Sequence, residues 1–308
     1  MSGYDISMND PYLPPDLDPE RIIAVIGAIS DTHMPDRWAA LQPAIFEALD
    51  GVDLLLHAGD IGKLVVLDQL SIIAPVIAVH GNDETAEAQR VLPYQQVIAF
   101  NGHRLLLCHS HLPDRDAEMA SRRYDDWQSK LSANAALAHR AGATIYVSGH
   151  LHIPFVTQVD SVWLINPGAI ASGGGGMRQT IQTVARIYLR DDGRPFVTHI
   201  DVTGDPQPYE ASVDWEAGFN ATYARYHESI LSPEMARVVT ALRHTPYVAD
   251  PRSWAMMNAL GRPVWAGEKA SVTVDDLRAA VRETGDLLPD ERATLLDFIE
   301  QAAVGSIE

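Results

Sequence analysis

Short apolar runs alternate with amphipathic segments over the first third of the chain. Ile22–Ala28, Val52–His57 and Val76–His80 are mostly apolar, as is typical of strands buried on both faces of a sheet. The segments between them, Arg37–Leu49 and Lys63–Ile72, carry apolar residues at helical spacing. Strands that alternate with helices in this way predict βαβ units and a parallel sheet.

The pattern changes to hairpins further along the chain. Gln96–Phe100 and Arg104–Cys108 flank Asn101-Gly102, a strong signal for a tight hairpin turn. A long polar segment, Asp116–Ala141, predicts one or two helices, and further short strands and hairpins follow before residue 203. We therefore predict an α/β fold of the α+β type, in which two mixed β-sheets pack face to face between flanking helices.

Composition shifts divide the chain into three predicted parts. Residues 1–20 hold four prolines and five acidic residues, which predicts an extended tail. Residues 21–203 carry the mixed pattern of strands and helices. Residues 204–308 are predicted to be a mainly helical C-terminal extension, in which Thr273–Asp276 resembles a capping box.

The overall charge limits the class of partner. The 308 residues include 23 Lys and Arg against 41 Asp and Glu, a formal net charge of −18. Proteins that bind long nucleic acids usually present a basic face, so we expect no such partner. A small phosphorylated substrate held by metal ions is compatible with this charge. The sequence makes no prediction of oligomeric state.

Three further features indicate the compartment. A single cysteine excludes an internal disulfide, and no apolar run approaches the roughly 18 residues of a membrane span. The acidic, Pro-rich N-terminus is unlike a secretory signal. We therefore expect a cytoplasmic protein that does not bind membranes.

Five predicted strands are each followed by side chains that commonly bind metals. These side chains are Asp31, His33, Asp60, Asn82, His109, His150 and His152. The carboxyl ends of strands in α/β sheets are where binding sites form. Carboxylate and amide oxygens combined with imidazoles suit Mn²⁺, which we expect first, and also Fe, Zn²⁺, Ni²⁺ or Co²⁺. Seven ligands are too many for one ion and predict two divalent ions that share a bridging carboxylate.

The same motifs resemble those of the calcineurin-like metallophosphoesterases, most closely the small bacterial and archaeal phosphodiesterase branch. The matching motifs are Asp31-Thr-His33, Gly59-Asp60, Gly81-Asn82, His109-x-His111, Gly149-His150-x-His152 and Asn166-Pro-Gly168. The resemblance covers about residues 21–203 and implies an αββα sandwich with a dinuclear metal centre. It does not extend to the last hundred or so residues.

The resemblance also implies a role for each ligand. Asp31, His33 and His152 would hold one ion. Asn82, His109 and His150 would hold the other, with Asp60 bridging the two. The implied activity is hydrolysis of a phosphodiester or a small phosphorylated molecule, by direct attack of a metal-bridging hydroxide on phosphorus.

The motifs do not identify a group that assists the leaving group. Many family members have a histidine after the Gly-Asn pair, where this chain has Asp83. Asp83, His80 and His111 are therefore candidates for that contact, and Arg178 is a candidate for a phosphate contact. Asp83 has an alternative role as the cap of the following helix, and Arg178 has one as a surface charge. His199 and His227 lie outside every motif and are predicted to be structural or solvated.

Two other functions fit the sequence less well. A non-catalytic, metal-binding interaction scaffold of the same fold is one, as in the retromer subunit that resembles this branch and has a degraded metal site. All seven ligand positions are present here, which favours catalysis. A nuclease is the other, and it would need a basic groove for which the sequence shows no cluster of Lys and Arg.

Overall fold

The computed structural model describes residues 10–121, 125–174 and 176–305. Its strands are β1 (Ile22–Ile29), β2 (Leu54–His57), β3 (Val76–Ala78), β4 (Gln95–Phe100), β5 (His103–Cys108), β6 (Ile145–Val147), β7 (Pro154–Val159), β8 (Val162–Pro167), β9 (Met177–Gln179), β10 (Thr183–Arg190), β11 (Pro195–Asp201), β12 (Gln207–Tyr209) and β13 (His227–Ser229). Its α-helices are α1 (Pro43–Ala48), α2 (Val65–Leu70), α3 (Ala86–Val91), α4 (Arg115–Ser121), α5 (Trp127–Arg140), α6 (Phe219–Tyr226), α7 (Pro233–Leu242), α8 (Pro251–Trp265), α9 (Val274–Glu283) and α10 (Pro289–Ala303).

The first sheet has six strands in the order β12-β11-β10-β1-β2-β3. The pairs β1–β2 and β2–β3 are parallel, with Ile26 opposite Leu54, so the predicted parallel sheet is confirmed. The other pairs are antiparallel. For β10–β11 and β11–β12 this follows from the short hairpins that connect them.

The second sheet has five strands in the order β4-β5-β6-β8-β7. Its central pairs are parallel and its outer pairs are antiparallel. The predicted hairpin between β4 and β5 is confirmed, and Asn101 and Gly102 both have the positive φ angles that a two-residue turn of this kind requires. Both sheets are therefore mixed.

The two sheets pack face to face through alternate residues of their strands. Ile26 on β1 and Leu105 on β5 lie in one apolar cluster between the sheets. Val25, which precedes Ile26 on β1, packs in the apolar cluster that includes α1 and α2. Leu106, which follows Leu105 on β5, packs against α5. Side chains of successive strand residues point to opposite faces, so this division produces an αββα sandwich, and the predicted fold is confirmed.

The described part of the N-terminal segment packs against the first sheet. Tyr12 and Leu17 are buried. The Asp10 carboxylate accepts hydrogen bonds from Arg186 Nη2 at 2.9 Å and from the Tyr188 hydroxyl at 3.1 Å. Arg186 lies on β10 and is itself buried, so Asp10 supplies the opposite charge that a buried guanidinium needs.

The chain divides into two compact units. Unit 1 holds the residues up to 171 together with 179–227, and unit 2 holds 172–178 together with the residues from 228 onward. Residues 204–227, predicted as part of the extension, thus group with the sandwich, and Tyr226 of α6 packs in the apolar cluster around α5.

Unit 2 is mainly helical. It has its own apolar core, formed chiefly by helices α7 to α10. The predicted capping box at the start of α9 is confirmed, since Thr273 and Asp276 cap each other's backbone N–H groups. Within the described residues, no helix is both long enough and apolar enough to span a bilayer.

Candidate metal centre

The carboxyl ends of β1, β2, β5 and β6 bring five of the predicted ligands together in unit 1. Asp31, His33 and His152 form one group of potential ligand atoms, and Asp31, Asp60 and His109 form another. Within each group the atoms lie within 4.8 Å of one another, and all five side chains are buried. Asp31 belongs to both groups, so the two groups form one continuous candidate centre.

The two carboxylates lie between the imidazoles. Asp31 Oδ1 is 3.1 Å from His152 Nε2. Asp60 Oδ2 is 3.6 Å from His33 Nε2 and 3.3 Å from His109 Nε2. Asp60 thus faces imidazoles from both groups, which is the placement that a shared ligand requires.

Both carboxyl groups are ionised in this setting. Burial raises the pKa of Asp31, but the nearby imidazoles of His152 and His109 outweigh it and hold that pKa well below the usual range. The pKa of Asp60 is likewise raised by burial and brought far below its usual value by His109 and His33. Burial lowers the pKa of His109, but Asp60 outweighs burial and raises that pKa to about 9. The carboxylates and the His109 imidazole therefore stabilise each other's charged forms away from water.

Three buried polar atoms of these five side chains lack a hydrogen-bond partner among the described residues. They are Asp31 Oδ1, His109 Nε2 and His152 Nδ1. His109 Nδ1 donates to the Ala58 carbonyl at 2.7 Å, which holds the ring so that Nε2 faces the carboxylates. Histidines that bind metals commonly have the other ring nitrogen held by a backbone carbonyl in this way. The donor set therefore fits a divalent cation.

Several predicted ligands have an unusual backbone conformation. Asp31, His33, Asp60, His150 and His152 all have φ between 44° and 70°. L-residues other than glycine rarely adopt this left-handed region, although Asp and His tolerate it better than most. Each costs roughly 1–2 kcal/mol, and residues of this kind cluster at functional sites.

Three glycines leave the space that the candidate ligands occupy. A Cβ atom at Gly81 would lie 2.0 Å from Asp60 Oδ1, and one at Gly149 would lie 2.7 Å from Asp31 Oδ2. A Cβ atom at Gly59 would lie 2.7 Å from His109 Nδ1. Gly59, Gly81 and Gly149 are the first residues of the Gly-Asp, Gly-Asn and Gly-His motifs. Each motif therefore supplies a predicted ligand and also a glycine that leaves room for a neighbouring ligand.

His150 is next to this centre but has a different partner. Its ring lies 5.0 Å from that of His109, and its backbone N–H donates to Asp31 Oδ2 at 3.1 Å. Its Nε2 is 2.8 Å from Glu118 Oε1. Glu118 is buried on α4 and also accepts a hydrogen bond from Leu112 N. No sequence motif pointed to Glu118, because it lies in a polar helix with several other acidic residues.

Asn82 is exposed, in the loop after β3. The residues on either side of it are close to Asp60, since the backbone N–H of Asp83 donates to Asp60 Oδ1 at 2.8 Å and Gly81 lies against the same oxygen. The loop therefore contacts the centre through its backbone. The role of Asn82 as a ligand stays a prediction.

Asp83 does not cap the following helix, contrary to the alternative considered above. That cap is Thr85, whose hydroxyl accepts from Ala88 N at 3.1 Å. The Asp83 carboxylate instead pairs with the guanidinium of Arg37, which is 5% exposed. Arg37 Nη1 lies 3.1 Å from His33 Nε2. The sequence did not point to Arg37, because it was predicted to lie in a helix that in fact begins only at Pro43.

Glu84 ties the same loop to the residues that follow β2. Its carboxylate accepts from Ile61 N at 2.8 Å, from Gly62 N at 3.1 Å and from Gly81 N at 3.3 Å. Burial raises the pKa of Glu84 to about 7. Glu84 therefore ties the backbone just after Asp60 to Gly81, which lies against the Asp60 carboxylate.

The remaining predicted catalytic residues fall in two places. His80 and His111 are neighbours, with ring centres 5.9 Å apart, and the His111 ring is 5.5 Å from that of His109. Arg178 belongs to unit 2, is half exposed and pairs with Glu228. His80 and His111 thus lie beside the centre, whereas the ion pair of Arg178 matches the surface charge considered as its alternative.

His227 was predicted to be structural or solvated and is buried beside His152. The two ring centres are 5.8 Å apart, and His227 Nδ1 donates to the Tyr223 carbonyl at 2.9 Å. Burial, and to a lesser extent the neighbouring His152, lowers the pKa of His227 to about 3. No motif marked this residue, since it lies on a strand that the sequence pattern did not predict.

Comparisons with known proteins agree with this architecture. Residues 25–192 match the family model described as the calcineurin-like phosphoesterase superfamily domain. A curated protein of Methanothermobacter thermautotrophicus, named a probable metallophosphoesterase, is 32% identical over 182 residues, which are 59% of this chain and 94% of that protein. A probable metallophosphoesterase of Methanocaldococcus jannaschii is 32% identical over 145 residues, 47% of this chain and 67% of its own length.

Similar solved structures include two Vps29 proteins. Vps29 of Cryptosporidium parvum has a TM-score of 0.48 and 18% identity, and the match covers 61% of this chain and 98% of that one. Vps29 of Entamoeba histolytica, complexed with Zn²⁺, has a TM-score of 0.46 and 19% identity, with 60% and 97% covered.

Proposed function

Because the chain belongs to the calcineurin-like phosphoesterase superfamily, we propose that it is a metal-dependent phosphoesterase that hydrolyses a phosphodiester or a small phosphorylated molecule. One observation carries the proposal. Two buried, ionised carboxylates, Asp31 and Asp60, face imidazoles, and Asp31 Oδ1 has no hydrogen-bond partner among the described residues. Buried carboxylates are stable only when they are paired, and bound divalent cations would pair them when the imidazoles coordinate as neutral ligands.

The proposed ligands divide between two cations. Asp31, His33 and His152 would hold one, Asn82, His109 and His150 would hold the other, and Asp60 would be shared. The distances from Asp60 Oδ2 to His33 Nε2 and His109 Nε2 support the shared role. His150 would exchange its contact with Glu118 for a cation, and Glu118 would then orient the ring.

Bound divalent ions would polarise phosphoryl oxygens and lower the pKa of water toward neutrality. The chain's own residues keep the centre in place. The Ala58 carbonyl fixes the orientation of His109, and Glu84 fixes the backbone around Asp60. His80, His111 and Asp83 are the proposed leaving-group contacts, since they lie around the same centre. The net charge of −18 supports a small substrate over a long nucleic acid.

A non-catalytic, metal-binding scaffold is the second candidate. One observation favours it: the partner of His150 is Glu118, and the side chain of Asn82 is exposed, so two ligands of the second ion lie outside the compact groups. A protein that holds one structural ion would have this arrangement.

Metal reconstitution tests the proposal. The full chain is stripped with chelator and assayed on bis(4-nitrophenyl) phosphate and 4-nitrophenyl phosphate with Mn²⁺, Ni²⁺, Zn²⁺ or Mg²⁺ restored, and bound metal is counted by mass spectrometry. We expect turnover that returns with metal and falls at least 100-fold in Asp60→Asn and Asn82→Ala. The ratio of diester to monoester turnover gives the substrate class. Metal binding without turnover would support the scaffold, and no metal binding would refute both candidates.

A further inference from the structure

A buried histidine beside the candidate centre lies outside the residues that match the family model. His227 directly follows α6 and belongs to unit 1, as the centre does, whereas the family match ends at residue 192. The centre of its ring lies 5.8 Å from that of His152, whose Nε2 faces Asp31 Oδ1 at 3.1 Å. A residue that belongs to no motif is thus the neighbour of a predicted cation ligand.

The ring of His227 is held in a fixed orientation. Its Nδ1 donates to the Tyr223 carbonyl at 2.9 Å, and its face stacks on the Tyr223 ring with the centres 3.6 Å apart. The chain just before it is also anchored, because the Tyr226 carbonyl accepts from Thr180 N at 2.9 Å. A carbonyl oxygen can only accept, so Nδ1 carries the proton and Nε2 of the neutral ring carries a lone pair. That Nε2 is buried and has no hydrogen-bond partner in the described chain.

The neighbouring ring of His152 has the complementary deficiency. Its Nε2 is the nitrogen that faces Asp31, and a nitrogen that binds a cation must keep its lone pair. The proton of the neutral ring then lies on Nδ1, which is buried and lacks an acceptor among the residues that the structure describes. Burying a donor without an acceptor costs free energy, as does burying an acceptor without a donor. The two neighbouring rings supply one of each.

We propose that His227 Nε2 accepts a hydrogen bond from His152 Nδ1, directly or through one water, and so positions His152 as a cation ligand. The inference rests on the proposed function and adds a residue to its metal centre. With ring centres 5.8 Å apart, one water or a small rotation of a ring closes the remaining gap. Histidines that bind metals commonly donate their other N–H group to a fixed acceptor, and the Ala58 carbonyl has this role for His109.

Two substitutions separate an acceptor from a residue that only fills space. His227→Phe keeps an aromatic ring on Tyr223 but removes the acceptor, so cation affinity should fall about 10- to 100-fold. His227→Gln brings an amide oxygen that can accept in place of Nε2, so cation affinity should fall by less than about threefold. If His227 only filled space, phenylalanine would replace it without loss of affinity.

The test uses the full chain and measures Zn²⁺ affinity by competition with a chromogenic chelator. His103→Phe is the matched control, because His103 is also buried and its Nε2 donates to the Arg190 carbonyl at 3.0 Å. It lies at the opposite end of β5 from His109, so its substitution should leave Zn²⁺ affinity unchanged. Thermal unfolding of each metal-free variant is measured as well, which separates a loss of stability from a loss of affinity.

A second measurement needs no variant and applies even if His227→Phe does not fold. Nitrogen-15 NMR of the Zn²⁺-loaded wild type reports which nitrogen of each histidine ring carries a proton. We expect His152 to bind through Nε2 with its proton on Nδ1, and His227 to keep its lone pair on Nε2.

Weaker Zn²⁺ binding in His227→Phe, its recovery in His227→Gln and no change in His103→Phe would establish the role. Wild-type affinity in a folded His227→Phe would overturn it, even if the wild type turns over substrate. A proton on His152 Nε2 or on His227 Nε2 in the Zn²⁺-loaded protein would overturn it as well. Failure of the wild type to bind Zn²⁺ or Mn²⁺ would instead refute the proposed function.

Discussion

Gly81→Ala is a small change with a large expected effect, because the loop after β3 lies against Asp60. The new Cβ would be 2.0 Å from Asp60 Oδ1 and 2.5 Å from Asp60 N. Gly81 does not have a positive φ angle, so alanine suits its backbone and the whole cost is steric. Asp60 or the loop must move by about 1 Å or more to make room, and shifts of about that size at catalytic centres cost about 100-fold in rate.

We expect three measurable results from this substitution. Metal-dependent turnover falls about 100-fold. Metal affinity, measured by competition with a chelator, falls about 10- to 100-fold because the carboxylate is misplaced. The free energy of unfolding falls by about 1–3 kcal/mol, as is usual for an overpacked site, which lowers Tm by about 3–10 °C.

Gly204→Ala is the matched control, because a Cβ there would meet no atom within 4 Å. It should change none of the three measurements. If Gly81→Ala folded and bound metal with wild-type affinity, Asp60 could shift freely without consequence. The assignment of Asp60 as the shared ligand would then be wrong.

Three further predictions concern stability. Mn²⁺ at 100 times its Kd should stabilise the fold by about 2.7 kcal/mol, seen as a rise in Tm that EDTA reverses; an unchanged Tm would contradict a metal centre. Asp10→Asn leaves buried Arg186 without its opposite charge and should cost about 3 kcal/mol in urea denaturation, whereas an exposed pair would cost almost nothing. His199 is buried, which lowers its pKa to about 4. Because only the unfolded chain takes up the proton below pH 6.5, stability should fall as the pH drops from 6.5 to 4, and His199→Gln should lessen that fall. An equal fall in the variant would show that other groups cause it.

The strands could be predicted from the sequence more accurately than the helices. β1 and β2 are buried almost throughout, so their residues form continuous apolar runs that need no tertiary information. β3 is a partly buried edge strand, but its residues are apolar as well. The helix predicted over Arg37–Leu49 occupies only Pro43–Ala48, because proline suits the first turn of a helix and not its interior. Apolar spacing continued past Pro43 and gave no sign of this later start.

The same distinction applies to the candidate centre. Sequence could predict Asp31, Asp60 and His109 because each lies within a few residues of the end of a strand. The sheets then bring these strand ends together. Arg37 and Glu118 reach the centre from a loop and a helix whose positions depend on tertiary packing. Nothing in their local sequence distinguishes them from surface charges.

The centre is costly to the fold, which favours a functional role over a structural one. Polar atoms are left unpaired there, and five predicted ligands have left-handed backbones. Together these features oppose folding by several kcal/mol, a large share of the 5–15 kcal/mol that stabilises a typical domain. A purely structural site would lose this cost if apolar residues replaced the charges. A cation that turns this arrangement into catalysis would account for these features together.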